Sequence, residues 1–369
     1  RTIKMKSNIL RAVAAATLAF GMPAYAQDMT GHEGRHGHHH GHTMQMDNGK
    51  MKGHMAHRHG PIGVMGRHIL PKGRFMLAYR VGHMEMAGNR IGSTDVSPTF
   101  IATTVPNRFA PPPTLRVVPT KMQMTMHMLG AMYGATDRLT LGAMMPYVRK
   151  EMTALTFAGA AGAAVLGSNK MSASGLGDIR LSAHYSALRT PERSLNLGMG
   201  LSLPTGSITE TGTMLAPTGA FMVRRMAYGM QLGSGTFDLM PSATYQSNHG
   251  IWHWGTQLSG TIRLGTNSEG YSLGNEAALT AWAGVQATPW LALSGRIEAK
   301  RAERISGIDP LIGGPMQGAD PNNYGGDTVT AFLAADTVVR KGALKGNRFG
   351  VEVALPVAQK LNGVQLKRD

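Results

Sequence analysis

An all-β chain closing into an antiparallel transmembrane β-barrel of about twelve strands is what three features of this 369-residue sequence predict. Stretches of alternating apolar and polar residues recur along most of it, and in a strand such alternation puts each set on its own face. The connections between these stretches alternate in length, long then short. The composition, with 48 Gly, no Cys and few charged residues, suits many strands and turns better than a helical or doubly wound domain.

Taken in order, the chain has three parts. From Met5 it reads Lys6 and Arg11, then an apolar run from Ala12 to Phe20, then Pro23-Ala24-Tyr25-Ala26. A basic start, a short apolar core and a small-x-small ending make a secretory signal, so residues 1–26 are read as an export signal with a few upstream residues. The apolar run is far below the roughly 20 residues of a spanning helix. Export removes nucleic acid from the partners that the formal net charge of +16 would otherwise suggest.

Residues 27–60 form the second part, rich in Gly, His and Met and almost free of aliphatic side chains. They show no periodicity and cannot bury a core, which predicts a disordered tail. Its candidate metal ligands are His32, His36, His38, His39, His40, His42, Met44, Met46, His54, Met55, His57 and His59. Imidazole suits Cu(II), Ni(II) and Zn(II), and thioether suits Cu(I), so the tail could hold copper, zinc or nickel ions although the fold requires no cofactor.

The third part, 61–369, holds eleven candidate strands at about 73–87, 121–134, 138–150, 175–188, 194–205, 230–247, 251–265, 274–287, 290–304, 324–340 and 347–358. Most reach the nine to eleven residues with which a tilted strand crosses a bilayer. In 175–188 the odd positions Ile179, Leu181 and Tyr185 are apolar, while Arg180, Ser182 and His184 are polar. The stretch 251–265 opposes Trp252, Trp254, Leu258 and Ile262 to Gln257, Ser259 and Arg263, and 290–304 opposes Leu293 and Ile297 to Arg296, Glu298 and Lys300. The polar sets predict a lumen carrying Arg180, His184, Gln257, Arg263, Arg296, Glu298 and Lys300, with Asp178 and Glu352 beside them. In Met122, Met124, Met126 and Met128 the alternates are Gln123, Thr125 and His127, which predicts that the polar set takes the lumen and the methionines face lipid.

Long loops outside and tight turns in the periplasm are the signature of outer-membrane barrels. Strand one starts on the short-turn side, which predicts a periplasmic tail. Strand eleven ends on the long-loop side, whereas bacterial single-chain barrels have an even strand count. Val364 to Asp369 reads as too short for the return, so a closing twelfth strand is expected to be absent. A barrel of this size lies between the filled eight-stranded and open sixteen-stranded cases, which predicts partial occlusion.

The blocks Ser174-Gly175-Leu176-Gly177-Asp178-Ile179-Arg180-Leu181 and Asn196-Leu197-Gly198-Met199-Gly200-Leu201-Ser202-Leu203-Pro204-Thr205-Gly206-Ser207 resemble the outer-membrane transporter family named for the meta pathway of phenol degradation. Pro61-Ile62-Gly63-Val64-Met65-Gly66, 230–239 and 255–265 are similar to a His- and Met-rich branch of it. The resemblance covers roughly residues 61–366 and implies an outer-membrane channel, with little said about its solute.

Catalysis finds no support in the residues. Ser247-Asn248-His249 lies in a short turn without acyl-transfer context, and there is no nucleotide-binding loop or zinc-protease helix. The chain reads as a non-enzyme whose partners are outer-membrane lipid and a small solute or metal ion. Two functions follow: a channel for small organic or anionic solutes, or a metal-tolerance protein whose tail sequesters or helps export copper-type ions while the barrel anchors it.

Overall fold

The computed structural model describes residues 61–369 and the backbone of 18–24. The elements run β1 (Leu18–Ala24), β2 (Phe75–Gly92), β3 (Thr94–Val96), helix α1 (Pro98–Thr104), β4 (Val117–Gly134), β5 (Leu139–Phe157), β6 (Val165–Leu176), β7 (Arg180–Arg189) and β8 (Arg193–Ser202). After the hairpin β9 (Thr211–Leu215) and β10 (Phe221–Arg225) come β11 (Phe237–His249), β12 (Trp252–Leu264), β13 (Tyr271–Ser272), β14 (Glu276–Thr288), β15 (Leu291–Ala302), β16 (Ser306–Gly307), β17 (Gly326–Val338) and β18 (Arg348–Arg368).

Eleven of these close a barrel in the order β18-β17-β15-β14-β12-β11-β8-β7-β5-β4-β2, with β2 and β18 paired across the seam. All neighbours are antiparallel, and they correspond one to one with the eleven stretches of alternation. Several strands run longer than expected, with β2 ending at Gly92, β5 at Phe157 and β18 at Arg368, and two boundaries differ for a local reason. The strand expected over 230–247 starts at Phe237 because Met230–Ser234 fold into the lumen, and the strand expected over 175–188 is interrupted at 177–179, where β6 gives way to β7.

The alternation buries and exposes as expected. Leu181, Leu197, Leu258, Ile262, Leu279, Leu293, Ile297 and Leu333 form an exposed apolar belt. Phe75, Tyr133, Trp252 and Trp290 ring its short-turn end, the place of the interfacial aromatic girdle of membrane barrels. Asn196, Thr244, Gln257, Thr280, Ser294, Arg296 and Glu352 are buried inside.

The methionine stripe of β4 corrects the sequence reading. His127 Nδ1 and the Tyr79 hydroxyl lie 2.7 Å apart, and Tyr79, Leu129 and Tyr133 are all exposed on the barrel's outside. The odd residues therefore point outward, and Met122, Met124, Met126 and Met128 point into the lumen. The cause is length: β4 has 18 residues, roughly 60 Å of strand at about 3.3 Å per residue, against an apolar band of about 25 Å. Its upper half stands clear of lipid, so Gln123, Thr125 and His127 face water from the outside of the wall. Glu85, also outward, accepts from Lys121 and Gln123 there.

The seam shows what the last residues do. Leu361 pairs with Gly326, whereas Val364, Gln365 and Leu366 pair antiparallel with Ile91, Arg90 and Asn89. The chain must reverse between them, and it does so at Asn362-Gly363, where Gly363 takes a φ of 57° that suits glycine in a tight turn. Residues 364–368, read as too short for a return strand, thus descend in the twelfth position. Further down the same position is held by the backbone of β1, paired with Phe75–Val81 on one side and with Arg348–Gly350 on the other. That strand lies within the expected export signal.

Candidate functional site in the barrel lumen

A segment that the alternation could not reveal organises the lumen. Residues 61–68 cross it as a strap. The Met65 carbonyl accepts from Gln257 Nε2 at 2.7 Å, and the Arg67 carbonyl accepts from Asn196 Nδ2 at 2.8 Å. Ile62 and Val64 are buried, and the Arg67 guanidinium lies 5.7 Å from the Trp282 ring centre. Two glycines let the backbone come this close to the wall. A Cβ on Gly63 would fall 2.4 Å from Arg296 Nη2, and one on Gly66, whose φ is +77°, 2.7 Å from the His184 ring. The Gly63–Gly66 spacing was the visible signal, but it reads equally well as loop.

Above the strap lies a cavity of about 360 Å³. Met76, Met128, Met132, Met144 and Met240 give it an apolar wall, and of the expected lumen residues Arg180, His184, Gln257, Glu298 and Lys300 line it. Higher up is a second cavity of about 340 Å³, lined by Arg263, Asp178 and Lys150 and roofed by Tyr228–Ser234 and Tyr324. Arg180 and Glu276 border both, so the two compartments meet at that pair.

Most charges along this route are neutralised in place. Arg296 is 7% exposed, donates to both oxygens of Glu352 and bonds Glu298 at 3.0 Å, with its guanidinium 3.4 Å from the Phe332 ring centre. Arg263 holds Asp238 at 2.5 Å, Lys300 holds Glu276 at 2.6 Å and Arg348 holds Asp336 at 2.5 Å. The Asp178 carboxylate accepts from the Gly206 and Ser234 amides. Lys150 Nζ donates to the Gly229 and Gln231 carbonyls, pinning the inward loop.

Two cations differ. Arg80 on β2 and Arg180 on β7 both line the lower cavity, and among the described residues neither has an ion-pair or hydrogen-bond partner. Arg180 Nε is buried and unsatisfied. The two strands are separated by β4 and β5, about 14 Å around the wall at about 4.8 Å per strand. Arg80 aligns with Met128 and Pro146, Arg180 with Met144, so their registers differ by two residues along β5. His184 lies on the same wall between Gly66 and Gly198, its Nδ1 also without a partner. Of these, Arg180 and His184 were legible from parity. Arg80 was not, because Phe75–Val81 alternates against Met and Ala rather than against polar residues.

Loops close the top. Tyr228, Tyr271 and Tyr324 pack edge to face, with Tyr228–Tyr271 and Tyr228–Tyr324 ring centres 4.7 and 5.8 Å apart. Burial pushes the Tyr228 and Tyr271 phenols up, keeping them neutral. The Tyr324 hydroxyl donates to the Gly318 carbonyl at 2.7 Å. With the strap below and these loops above, the lumen is partly occluded, as barrel size suggested. Among the described residues no group of three or more His, Cys, Asp and Glu side chains is placed to hold a metal ion. The tail ligands His32 to His59 lie outside the described residues.

No protein-family model matches the sequence, so the likeness to the phenol-pathway family rests on its sequence blocks. No curated protein matches either. Among solved structures, the chain is similar to an outer membrane channel from Pseudomonas putida, at 14% identity over 78% of this chain and 96% of that one, with a TM-score of 0.44. It is also similar to the toluene transporter TbuX of Ralstonia pickettii, at 12% identity over 95% and 90% with a TM-score of 0.34. A FadL homologue of Pseudomonas aeruginosa matches at 10% identity over 95% and 88%, with a TM-score of 0.36.

Proposed function

We propose that this chain is an outer-membrane channel that passes small organic anions with an apolar body, of the aromatic carboxylate or phenolate kind. The observation that carries this reading is the pair Arg80 and Arg180, unpartnered guanidiniums on an otherwise methionine-walled cavity. Both guanidiniums are half-buried, and a partly desolvated charge without a counter-ion is costly in proportion to its burial. The nearby carboxylates Glu276, Glu352, Asp336 and Asp178 are engaged elsewhere. A bound anion would satisfy both arginines, and the flexible thioether wall would accept apolar bodies of varied shape. The apolar outer belt and the alternating loop lengths support the outer membrane as the location, with the strap end of the barrel on the periplasmic side.

In planar bilayers the protein should conduct with a modest preference for anions. Arg80→Gln/Arg180→Gln should abolish that preference and slow benzoate entry into liposomes roughly tenfold, since a hydrogen bond to a charged group contributes about 1.5–3 kcal/mol. Benzyl alcohol, of equal size and no charge, should be unaffected. Equal loss for both probes would mean that the arginines only hold the wall together.

Metal capture by the His-rich tail is a separate proposal, resting on residue types alone. Copper binding to residues 27–60 would require neutral imidazole, so it should weaken as pH falls through about 6.5. A strain lacking 27–60 that tolerates copper as well as its parent would remove the physiological half of that reading.

A further inference from the structure

The row of methionines on the inner wall has a property that bulk alone does not explain. Met86 is directly opposite Met122, Met122 opposite Met152, and Met152 opposite Met171, across the four neighbouring strands β2, β4, β5 and β6. Residues so opposed have Cβ atoms about 4.5–5.5 Å apart, so adjacent thioethers of the row can reach a common point. Met122, Met152 and Met171 are 7%, 5% and 3% exposed. Met226, fully buried, comes from the loop side. A Cβ on Gly212 would meet Met226 Sδ at 2.9 Å and Met171 Cγ at 3.8 Å, so this glycine leaves room for the two side chains to approach.

The methionine richness of the chain is also not spread evenly. Seven of the eighteen buried members of the lumen cluster are Met. The cluster beneath α1, built from Ile101, Ala102, Leu115, Val118, Phe157 and Val364, contains none. Leu, Ile and Phe fill space with better-defined rotamers, and Met is the flexible filler. What Met adds is a soft, uncharged sulfur donor, which suits Cu(I)-type ions and does not suit Mg(II), Ca(II) or Mn(II).

We infer that Met122, Met152 and Met171, closed over by Met226 and continued on the wall by Met86, form a thioether site for a soft monovalent cation of the Cu(I) and Ag(I) class in the upper lumen. Below it Met124, Met126 and Met128 continue along the inner face of β4 at steps of about 6.8 Å towards the lower cavity, so the site stands at the head of a thioether column. It is independent of the arginine pair and of the tail.

The test uses the full chain in detergent, labelled with methyl-13C methionine and titrated with silver nitrate in chloride-free buffer. The methyl resonances of Met122, Met152 and Met171, assigned by single Met→Leu variants, should shift together and saturate at one equivalent for the site. Because His and Met residues of the tail would compete for silver if they bind it, total stoichiometry is compared between two double variants. Met122→Leu/Met152→Leu should bind one equivalent fewer than the parent, and Met145→Leu/Met199→Leu, whose side chains face outward, should bind the same. Leucine nearly conserves the volume, so the barrel should stay folded. If it does not, the parent's own resonances decide. Unchanged silver stoichiometry in a folded Met122→Leu/Met152→Leu barrel overturns the inference, as do methyl signals that stay in place while the rest of the protein saturates.

Discussion

Arg296 shows how a lumen residue can be legible in position and opaque in role. Its parity on 290–304 marks it as inward and cationic, which by itself fits a selectivity charge. The structure surrounds it with Glu352, Glu298 and the Phe332 ring, so its field is spent locally and a solute meets no free cation there. Such a pair contributes little net stability as a pair, but removing one partner strands a buried charge. Arg296→Gln should therefore destabilise the barrel by about 3–5 kcal/mol, read as a lower urea midpoint of refolding in detergent. Arg296→Met/Glu352→Leu should recover most of that loss. Anion preference should respond to Arg80 and Arg180 rather than to Arg296. Pairing of this kind joins residues 56 apart in sequence, and strand periodicity says nothing about which inward charges will meet.

At the scale of elements, alternation located all eleven strands but fixed the facing of β4 wrongly. The assumption that polar residues seek the lumen holds only within the lipid band, and β4 and β5 rise well above it. The outward Gln123, Thr125 and Glu85 find partners among other outward residues there. Residues 364–368 are too short to cross a bilayer, as expected, but they pair with the upper part of β2. An ionic tie helps to hold them: Asp95 accepts from Arg90 at 2.7 Å and from Lys367 at 2.6 Å. Those two cations hold the Asp95 carboxyl below its ordinary value. A depressed folded-state value means that the tie is at full strength above the unfolded Asp value, near 3.9, and is lost as pH falls through the lower folded one. The pair is exposed, so the effect is small, about 0.5 kcal/mol or less. Amide exchange at 364–368 should be insensitive to pH-linked loosening between pH 5 and 8 and should speed up beyond the intrinsic trend only at more acid pH. Asp95→Asn should loosen the segment across the whole range and remove that dependence.

The whole molecule is a wall whose pattern the sequence displays and a filling whose pattern it does not. The wall repeats, so its period survives in the residues. The strap and the inward loops are each held by contacts made once: Gln257 to the Met65 carbonyl, Asn196 to the Arg67 carbonyl, Lys150 to the Gly229 and Gln231 carbonyls. If the strap is the floor that separates the lower cavity from the periplasmic mouth, its hold should govern conductance without governing the fold. Gln257→Ala/Asn196→Ala removes the two side chains that grip its backbone while leaving the ladders of β8 and β12 intact. At about 1 kcal/mol per lost bond, the strap's detached population should rise by roughly one to two orders of magnitude. Single-channel traces of that variant should show more frequent or longer open events and weaker discrimination between benzoate and chloride, with unchanged heat-modifiable mobility on gels. Traces that match the parent in a folded variant would mean that solutes pass beside the strap, and the floor would have to be sought among the side chains around Trp282 and His253 instead.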